Sequence, residues 1–262
     1  MATKKIALDA GHGLKTAGKQ TPNGIKEWTL NDKVRDKVVE LLKNYDVEII
    51  HTDNNEGNTD ESLASRLKKY TNAGVDAFVS IHHNALTGKW NSATGVEVFT
   101  DKNPTAADKK LAKAIQTRLV KYTGLRDRGV KQEDWYVINQ DRIPAVLCEL
   151  GFMDNKKDYA QMTSEAGQMA RAKAIAEGLI EFLNLKIKVD SDVVVSLFKI
   201  RVANVEKGDV LNIRKEPNAN AVITGKLKYN DPNIYTIVET DNGWGKLKSG
   251  IGWINLYYTK RV

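Results

Sequence analysis

The sequence predicts an α/β protein, a mostly parallel sheet flanked by helices, followed by a small all-β domain. Three observations carry that prediction. Up to Leu185, short β-branched runs alternate with apolar stripes at helical spacing. Beyond Leu185 the helical stripes stop. From there to the end, clusters of Gly, Pro, Asn and Asp interrupt short apolar runs at close intervals. The expected domains are therefore 1–185 and 186–262.

Lys5–Ala10 is an apolar run that stops at Gly11, as a first strand would. Leu30, Val34, Val38, Leu41 and Leu42 repeat with the period of a helix. Val47–His51 reads as a strand, Leu63, Leu67 and Tyr70 as a helix, and Ala77–Ile81 as a buried strand. Gly95–Phe99 has strand alternation, and Leu111, Ile115, Leu119 and Tyr122 form the next helical stripe. Trp135–Ile138 and Ala145–Leu150 are read as two further strands. Met169, Ala172, Ala176, Leu179 and Leu183 form the last amphipathic helix. Crossover helices return the chain in one direction, which makes the sheet mostly parallel and puts a site at the carboxyl ends of its strands. Lys186–Val195 reads as a linker or a first strand of the second domain. The rest, roughly 65 residues, reads as a barrel or sandwich of short strands.

Composition narrows the function classes. Of 262 residues, 41% are hydrophobic and 28% charged, an ordinary globular balance. A single cysteine, Cys148, excludes an intramolecular disulfide framework. No apolar run approaches the roughly 20 residues that span a bilayer, so no membrane insertion is expected. The start, Met1 to Lys5, leads into Ile6-Ala7-Leu8, too short for the apolar core of a signal peptide. The expectation is a protein made in the cytoplasm without a signal peptide. The net charge of +7 is uneven. Residues 1–185 carry 27 Lys and Arg against 25 Asp and Glu, and residues 186–262 carry 13 against 8. Such an excess attracts anionic polymers or serves solubility, but the basic residues are dispersed rather than clustered as nucleic-acid binding favours.

Four strand ends bring chemistry. The first is Asp9-Ala10-Gly11-His12-Gly13, where glycines permit a sharp turn beside an exposed imidazole. The second is Glu27, just before the first helical stripe. The third is Ser80-Ile81-His82-His83-Asn84, and the fourth Cys148-Glu149-Leu150-Gly151-Phe152. Two histidines and one carboxylate make a catalytic zinc set with a position left for water. His12, Glu27 and His82 fit the ligand roles, and Glu149 fits a general base. Taken singly, each residue has a plainer reading: a hydrogen-bonded surface histidine, an acid serving a helix dipole, a carboxylate in a salt bridge. Cys148 sits in an apolar strand beside an acid that would raise its pKa, and is read as structural rather than nucleophilic. Asp9 is read as fixing the loop around His12, and His51 as structural or exposed.

Together these strings resemble the type 3 zinc-dependent N-acetylmuramoyl-L-alanine amidases. The resemblance rests on Leu8 to Gly13, Glu27, Ser80 to Ala85, and Pro144 to Phe152, with Arg128-Gly129-Val130 before the penultimate strand. It implies a hydrolase with one catalytic zinc that cuts the amide between N-acetylmuramic acid and the L-alanine of the stem peptide. By position, His12, Glu27 and His82 are implied as metal ligands and Glu149 as the catalytic carboxylate. Adjacent strand residues point to opposite faces, so only one of His82 and His83 can reach the metal. The pattern Ser-x-His-x-Asn selects His82. His83 is then expected to line the substrate groove, Asn84 to orient the site, and Arg128 to lie near substrate.

The tail resembles a bacterial SH3-type domain through Gly208 to Pro217, Val222 to Leu227, Gly243 to Leu247 and Gly252-Trp253-Ile254. That resemblance implies a cell-wall-binding module, with Trp244 and Trp253 expected in its core. The combined expectation is a peptidoglycan amidase acting on a Gram-positive wall, an endolysin released for host lysis. A lytic amidase stored in the mother cell of a spore former, an inactive wall-binding protein and, least of all, a basic nucleic-acid binder are the alternatives.

Overall fold

The computed structural model describes residues 3–188 and 197–262. The chain forms two compact units, Met1–Lys188 and Val189–Val262. Most of the segment read as a linker or first strand, residues 189–195, lies outside the described residues.

In the first unit the chain runs β1 (Lys4–Ala10), α1 (Glu27–Leu42), β2 (Val47–His51), α2 (Leu63–Ala73), β3 (Ala77–Asn84), β4 (Val96–Thr100) and α3 (Ala106–Thr123). It continues through β5 (Asp127–Gln132), a 3-10 turn (Tyr136–Ile138), β6 (Ala145–Phe152), α4 (Lys156–Met162) and α5 (Glu165–Leu183). Local chemistry sets the helix ends. Ser62, Thr105 and Ser164 cap the amino ends of α2, α3 and α5, and Asp108 completes a capping box on α3. Gly74, Gly124 and Asn184 close the same three helices in the left-handed region.

The sheet order is β2-β1-β3-β6-β4-β5. Every neighbouring pair is parallel except β4 and β6. The exception has a simple cause. Residues 85–95, between β3 and β4, contain no helix, so no crossover returns the chain to its former direction. Alternate residues face two cores. Ile6, Leu8, Val79, Ile81, Val146 and Cys148 pack with α1, α3 and α5 on one face. Ala7, Phe78, Ala145 and Leu147 pack with Tyr70 of α2 and with Val137 and Ile138 on the other. Where α3 crosses α5, a Cβ at Gly178 would stand 2.6 Å from Ile115 Cγ1, so only glycine permits this approach.

One sequence expectation is corrected here, and one strand went unread. Trp135–Ile138 is not a strand. Tyr136–Ile138 turns as a 3-10 helix, which puts Val137 and Ile138 beneath α2 and lets the Tyr70 hydroxyl donate to the Val137 carbonyl at 2.9 Å. The strand on this side is β5, an edge strand half open to solvent whose apolar pattern is too weak to read.

The second unit is a seven-stranded antiparallel sheet, with β7 (Phe198–Val202), β8 (Val210–Arg214), β9 (Ile223–Lys228), β10 (Tyr235–Asp241), β11 (Trp244–Leu247), β12 (Trp253–Asn255) and β13 (Thr259–Arg261). Their order is β13-β7-β10-β11-β12-β8-β9. It has its own core of Ile200, Val202, Leu211, Ile213, Leu227, Ile237, Leu247 and Ile254. Trp253 is buried as expected, whereas Trp244 is half-exposed.

Candidate metal centre

Four adjacent strand ends build the site. Gly11 donates its N–H to the Ile81 carbonyl at 3.0 Å, which sets the residue after β1 beside the end of β3. His82 of β3 pairs with Glu149 of β6, and Glu149 pairs with Glu97 of β4. Gly11, His82, Glu149 and Glu97 thus form a row across the sheet. Gly11 has to be glycine: a Cβ there would lie 2.1 Å from the His82 ring. The next residue, His12, holds φ at 67°, an uncommon conformation for a side-chain-bearing residue, and this turns its imidazole back over the row.

Glu27 opens α1 and is buried. Its Oε2 lies 3.3 Å from His12 Nε2, and its Oε1 lies 3.1 Å from His82 Nδ1. The two imidazoles meet edge to face, with centroids 4.8 Å apart. One donor atom from each of His12, Glu27 and His82 lies within 4.8 Å of the others. Burial would raise the Glu27 pKa, but hydrogen bonds and positive charge from the two histidines outweigh it and hold the carboxyl well below its usual range. Two imidazole nitrogens and one carboxylate are the donor types and the count of a three-ligand divalent-metal site, so the residues present fit a metal such as zinc.

Buried partners hold this set in place. Asn31, one turn after Glu27, donates to the Gly11 carbonyl at 3.0 Å, and its amide oxygen meets His83 Nδ1 at 2.8 Å. Arg66 of α2 donates to the carbonyls of Ala10 and His12 and pairs with Asp9. Asp9 also accepts from the Thr52 and Ser80 hydroxyls, so its carboxylate is committed to fixing the loop. Asp53 accepts from the Ala10 N–H, Arg35 and the Trp28 indole, tying α1 to the end of β1.

Glu149 has an oxygen shielded from solvent with no hydrogen-bond partner among the described residues. Burial, then the negative charges of Glu27 and Glu97, push its pKa well above the ordinary carboxyl value. A carboxyl whose proton affinity is raised in this way is suited to accept a proton and to return it. A cleft of about 340 Å³ opens over His12 and His82, bounded by Asp60, Glu61, Ser62 and Leu63.

The remaining sequence candidates have distinct positions. His83 does not line a groove, which corrects the expectation. It is 1% exposed, on the opposite face of β3 from His82, and burial with the nearby Arg171 charge pushes its pKa down to about 3. Its contribution to the site is its backbone N–H, which donates to Glu27 at 3.2 Å. Asn84 and Arg128 converge on Glu97, donating to its two oxygens at 2.8 and 2.9 Å. Arg128 also lies over the Phe152 ring. Cys148 is buried, and burial together with Glu149 pushes its thiol pKa up, which leaves it inert. His51 ends β2 and pairs with Asn55.

Sequence reasoning missed Glu97, Asn31 and Arg66. Glu97 had one legible signal, an acid in the centre of the apolar run Val96-Glu97-Val98. Asn31 and Arg66 had none, because a buried polar residue on a helix looks like a solvent-facing one until its partner is known.

Comparison with known proteins gives this geometry a lineage. The family profile described as N-acetylmuramoyl-L-alanine amidase matches residues 6–181. The chain is 37% identical over 189 residues to the endolysin of Bacillus phage SPP1, covering 71% of this chain and 68% of that protein. It is 33% identical over 178 residues to the N-acetylmuramoyl-L-alanine amidase LytC of Bacillus subtilis, covering 68% of this chain and 35% of that protein. The catalytic domain of CwlV, an N-acetylmuramoyl-L-alanine amidase from Bacillus (Paenibacillus) polymyxa var. colistinus, superposes with a TM-score of 0.64 at 31% identity. That superposition covers 70% of this chain and 99% of the other. With its site built on the strands that the profile spans, the chain belongs to the N-acetylmuramoyl-L-alanine amidase family.

Proposed function

We propose that this chain is a zinc-dependent peptidoglycan amidase that cuts between N-acetylmuramic acid and the L-alanine of the stem peptide, and that it serves as an endolysin. The observation that carries the reading is the His12–Glu27–His82 triangle with Glu149 beside it in register. Zinc, held by these three residues, would supply a Lewis acid to polarise the scissile carbonyl and acidify water. Glu149 takes the proton from the attacking water and hands it to the departing alanine nitrogen. Glu97 adds negative charge beside Glu149, which favours the protonated form that the second transfer needs. The Asp9–Arg66 pair and Asn31 keep His12 in its left-handed turn, so the donors are set before substrate arrives.

The likeness to the phage SPP1 endolysin supports the biological role. Such an enzyme would be made in the cytoplasm of an infected Gram-positive cell and meet the wall at lysis. No described helix is long and apolar enough to cross a membrane. For the second unit, an SH3-type wall-binding role is supported by its antiparallel sheet and by a cleft of about 610 Å³ lined by Trp244, Tyr257 and Tyr258.

Product analysis of purified Gram-positive peptidoglycan tests the reading. New N-terminal L-alanine without new reducing sugar ends, lost on chelation and restored by zinc, is the expected result. New reducing ends would make the protein a glycosidase, and bound walls with no product would make it a binding protein.

A further inference from the structure

Two grooves of opposite chemistry open on the second unit. One, of about 480 Å³, is lined by Lys226 and Lys248 and by no acidic residue. The other, of about 610 Å³, is lined by Glu206, Asp209, Asn212, Trp244, Tyr257 and Tyr258. Glu206 and Asp209 are exposed, and neither is ion-paired among the described residues, where the ion pair of this unit joins Lys246 to Glu239. Arg214 is the one basic residue in the lining of the larger groove, and its guanidinium donates to the Ala221 carbonyl at 2.8 Å. The larger groove is therefore locally acidic in a unit whose overall charge is basic.

The groups in that groove share a preference. Leu211 and Ile213 of β8 turn into the core, so Asn212 between them turns the other way, into the groove. Its Oδ1 is shielded from solvent and has no hydrogen-bond partner among the described residues, a deficit that a ligand N–H would make good. The Tyr257 and Tyr258 rings meet edge to face at 5.1 Å, and Asn204 donates to the Tyr257 carbonyl at 2.8 Å, which holds this aromatic corner in place. Carboxylates and aromatic faces both attract an organic cation. A neutral sugar would stack on the same rings but leave both carboxylates uncompensated, and a phosphodiester polymer would be repelled by them.

We propose that this groove is a receptor for a primary ammonium group of the cell wall. Glu206 and Asp209 pair with its charge, the Asn212 amide oxygen accepts one of its N–H groups, and the rings of Trp244, Tyr257 and Tyr258 cover its carbon stem. This rests on the wall-binding reading of the second unit. Two wall components bear such a group: the free amine of a stem peptide, and an aminoacyl ester on an anionic polymer. The net charge of the unit, which by itself favours a polyanion, does not select the occupant of this groove, because a ligand answers to the charges it touches.

The test measures retention of the full chain, on ice, on purified Gram-positive walls before and after N-acetylation, which removes ammonium charge and leaves glycan and phosphate in place. Acetylation is expected to weaken wild-type retention about tenfold. Glu206→Gln combined with Asp209→Asn is expected to weaken retention on untreated walls to the same extent, with no further loss on acetylated ones. Should the double variant fail to fold, Glu206→Gln alone, at an exposed position, carries the same expectation. Once acetylation has shown its effect, walls stripped of phosphodiester polymer by cold hydrofluoric acid separate the two sources: retention kept after stripping assigns the peptide amine, and retention lost assigns the polymer ester. Retention unchanged by acetylation, or an acetylation effect undiminished in the variant, overturns the ammonium site. No retention of the wild type on untreated walls overturns the wall-binding reading itself, and the site with it.

Discussion

The two units of this chain handle their polar and aromatic residues in opposite ways. The first buries the groups that hold its site: Glu27, Asp9, Arg66 and Glu97 are each no more than 2% exposed and each is hydrogen-bonded or ion-paired. The second displays them: Tyr257 is 73% exposed and Tyr258 40%, with a half-exposed Trp244 lining the same cleft. The difference teaches what each task demands. Bond cleavage needs titratable groups whose pKa values are moved by desolvation and neighbouring charge, and those neighbours have to be locked. Adhesion to a polymer, the role proposed for the second unit, needs accessible amphipathic area and little else.

The sharpest break between the units is a variant that removes turnover alone. Glu149→Gln should lower kcat by about 10³-fold while retention on insoluble wall stays at the wild-type level. Substantial turnover in that variant would remove Glu149 from the proton transfers. Next, His12→Ala and His82→Ala should each lose stoichiometric zinc, measured by metal analysis after dialysis, with no effect on wall retention. His83→Ala should keep its zinc and instead lose stability, because His83 touches the buried Asn31 amide and not the cleft. If that variant is the one emptied of metal, the face assignment on β3 is wrong.

Arg66→Met should destabilise the first unit by about 3–5 kcal/mol in urea denaturation, since it leaves the Asp9 carboxylate buried without its partner. The unfolding of the second unit, which has its own core, should not shift. For the display side, Tyr257→Ala combined with Trp244→Ala should weaken wall retention about tenfold and leave hydrolysis of a soluble muramoyl peptide intact. Equal loss of both would mean that the cleft is structural.

The smallest effect concerns Asp32, on the first turns of α1. Burial, opposed by Arg35 and reinforced by Asp36 and Asp53, raises its pKa to about 6. The folded chain therefore binds a proton between the unfolded value near 4 and this raised value, where the unfolded chain does not. The resulting stability is present below that window and is lost as pH rises through about 6. Asp32→Asn, which resembles the protonated form, should match the wild type below pH 4, flatten stability between pH 4 and 6, and be the more stable of the two at pH 7. Retention of the wild-type slope in thermal melts would assign it to other carboxyls.

Much of the first unit was readable because its signals are local. Helical stripes on α1, α3 and α5, and the apolar runs of β1 and β6, report burial through periodicity alone. The strand-end residues His12, His82 and Glu149 stood out for the same reason, as polar groups interrupting such runs. The misread Trp135–Ile138 shows the limit: four apolar or aromatic residues fit a strand or a 3-10 turn equally, and packing beneath Tyr70 made the choice. The edge strand β5 was invisible because half of it faces water.

By itself, then, the sequence determined the order of layers, the change of architecture near residue 188 and the residue types at the strand ends. Those follow from short-range patterns that any window of the chain displays. Only the tertiary structure decided which histidine of the adjacent pair faces the cleft and which is buried against Asn31. It alone placed Glu97 beside Glu149 and brought Trp90 and Asn23 into contact with Tyr159. Glu27 and His82 stand 55 residues apart in the chain, and Asn23 and Tyr159 stand 136 apart. The electrostatics of a buried group depend on whichever charges folding brings beside it, and local sequence carries no record of those neighbours.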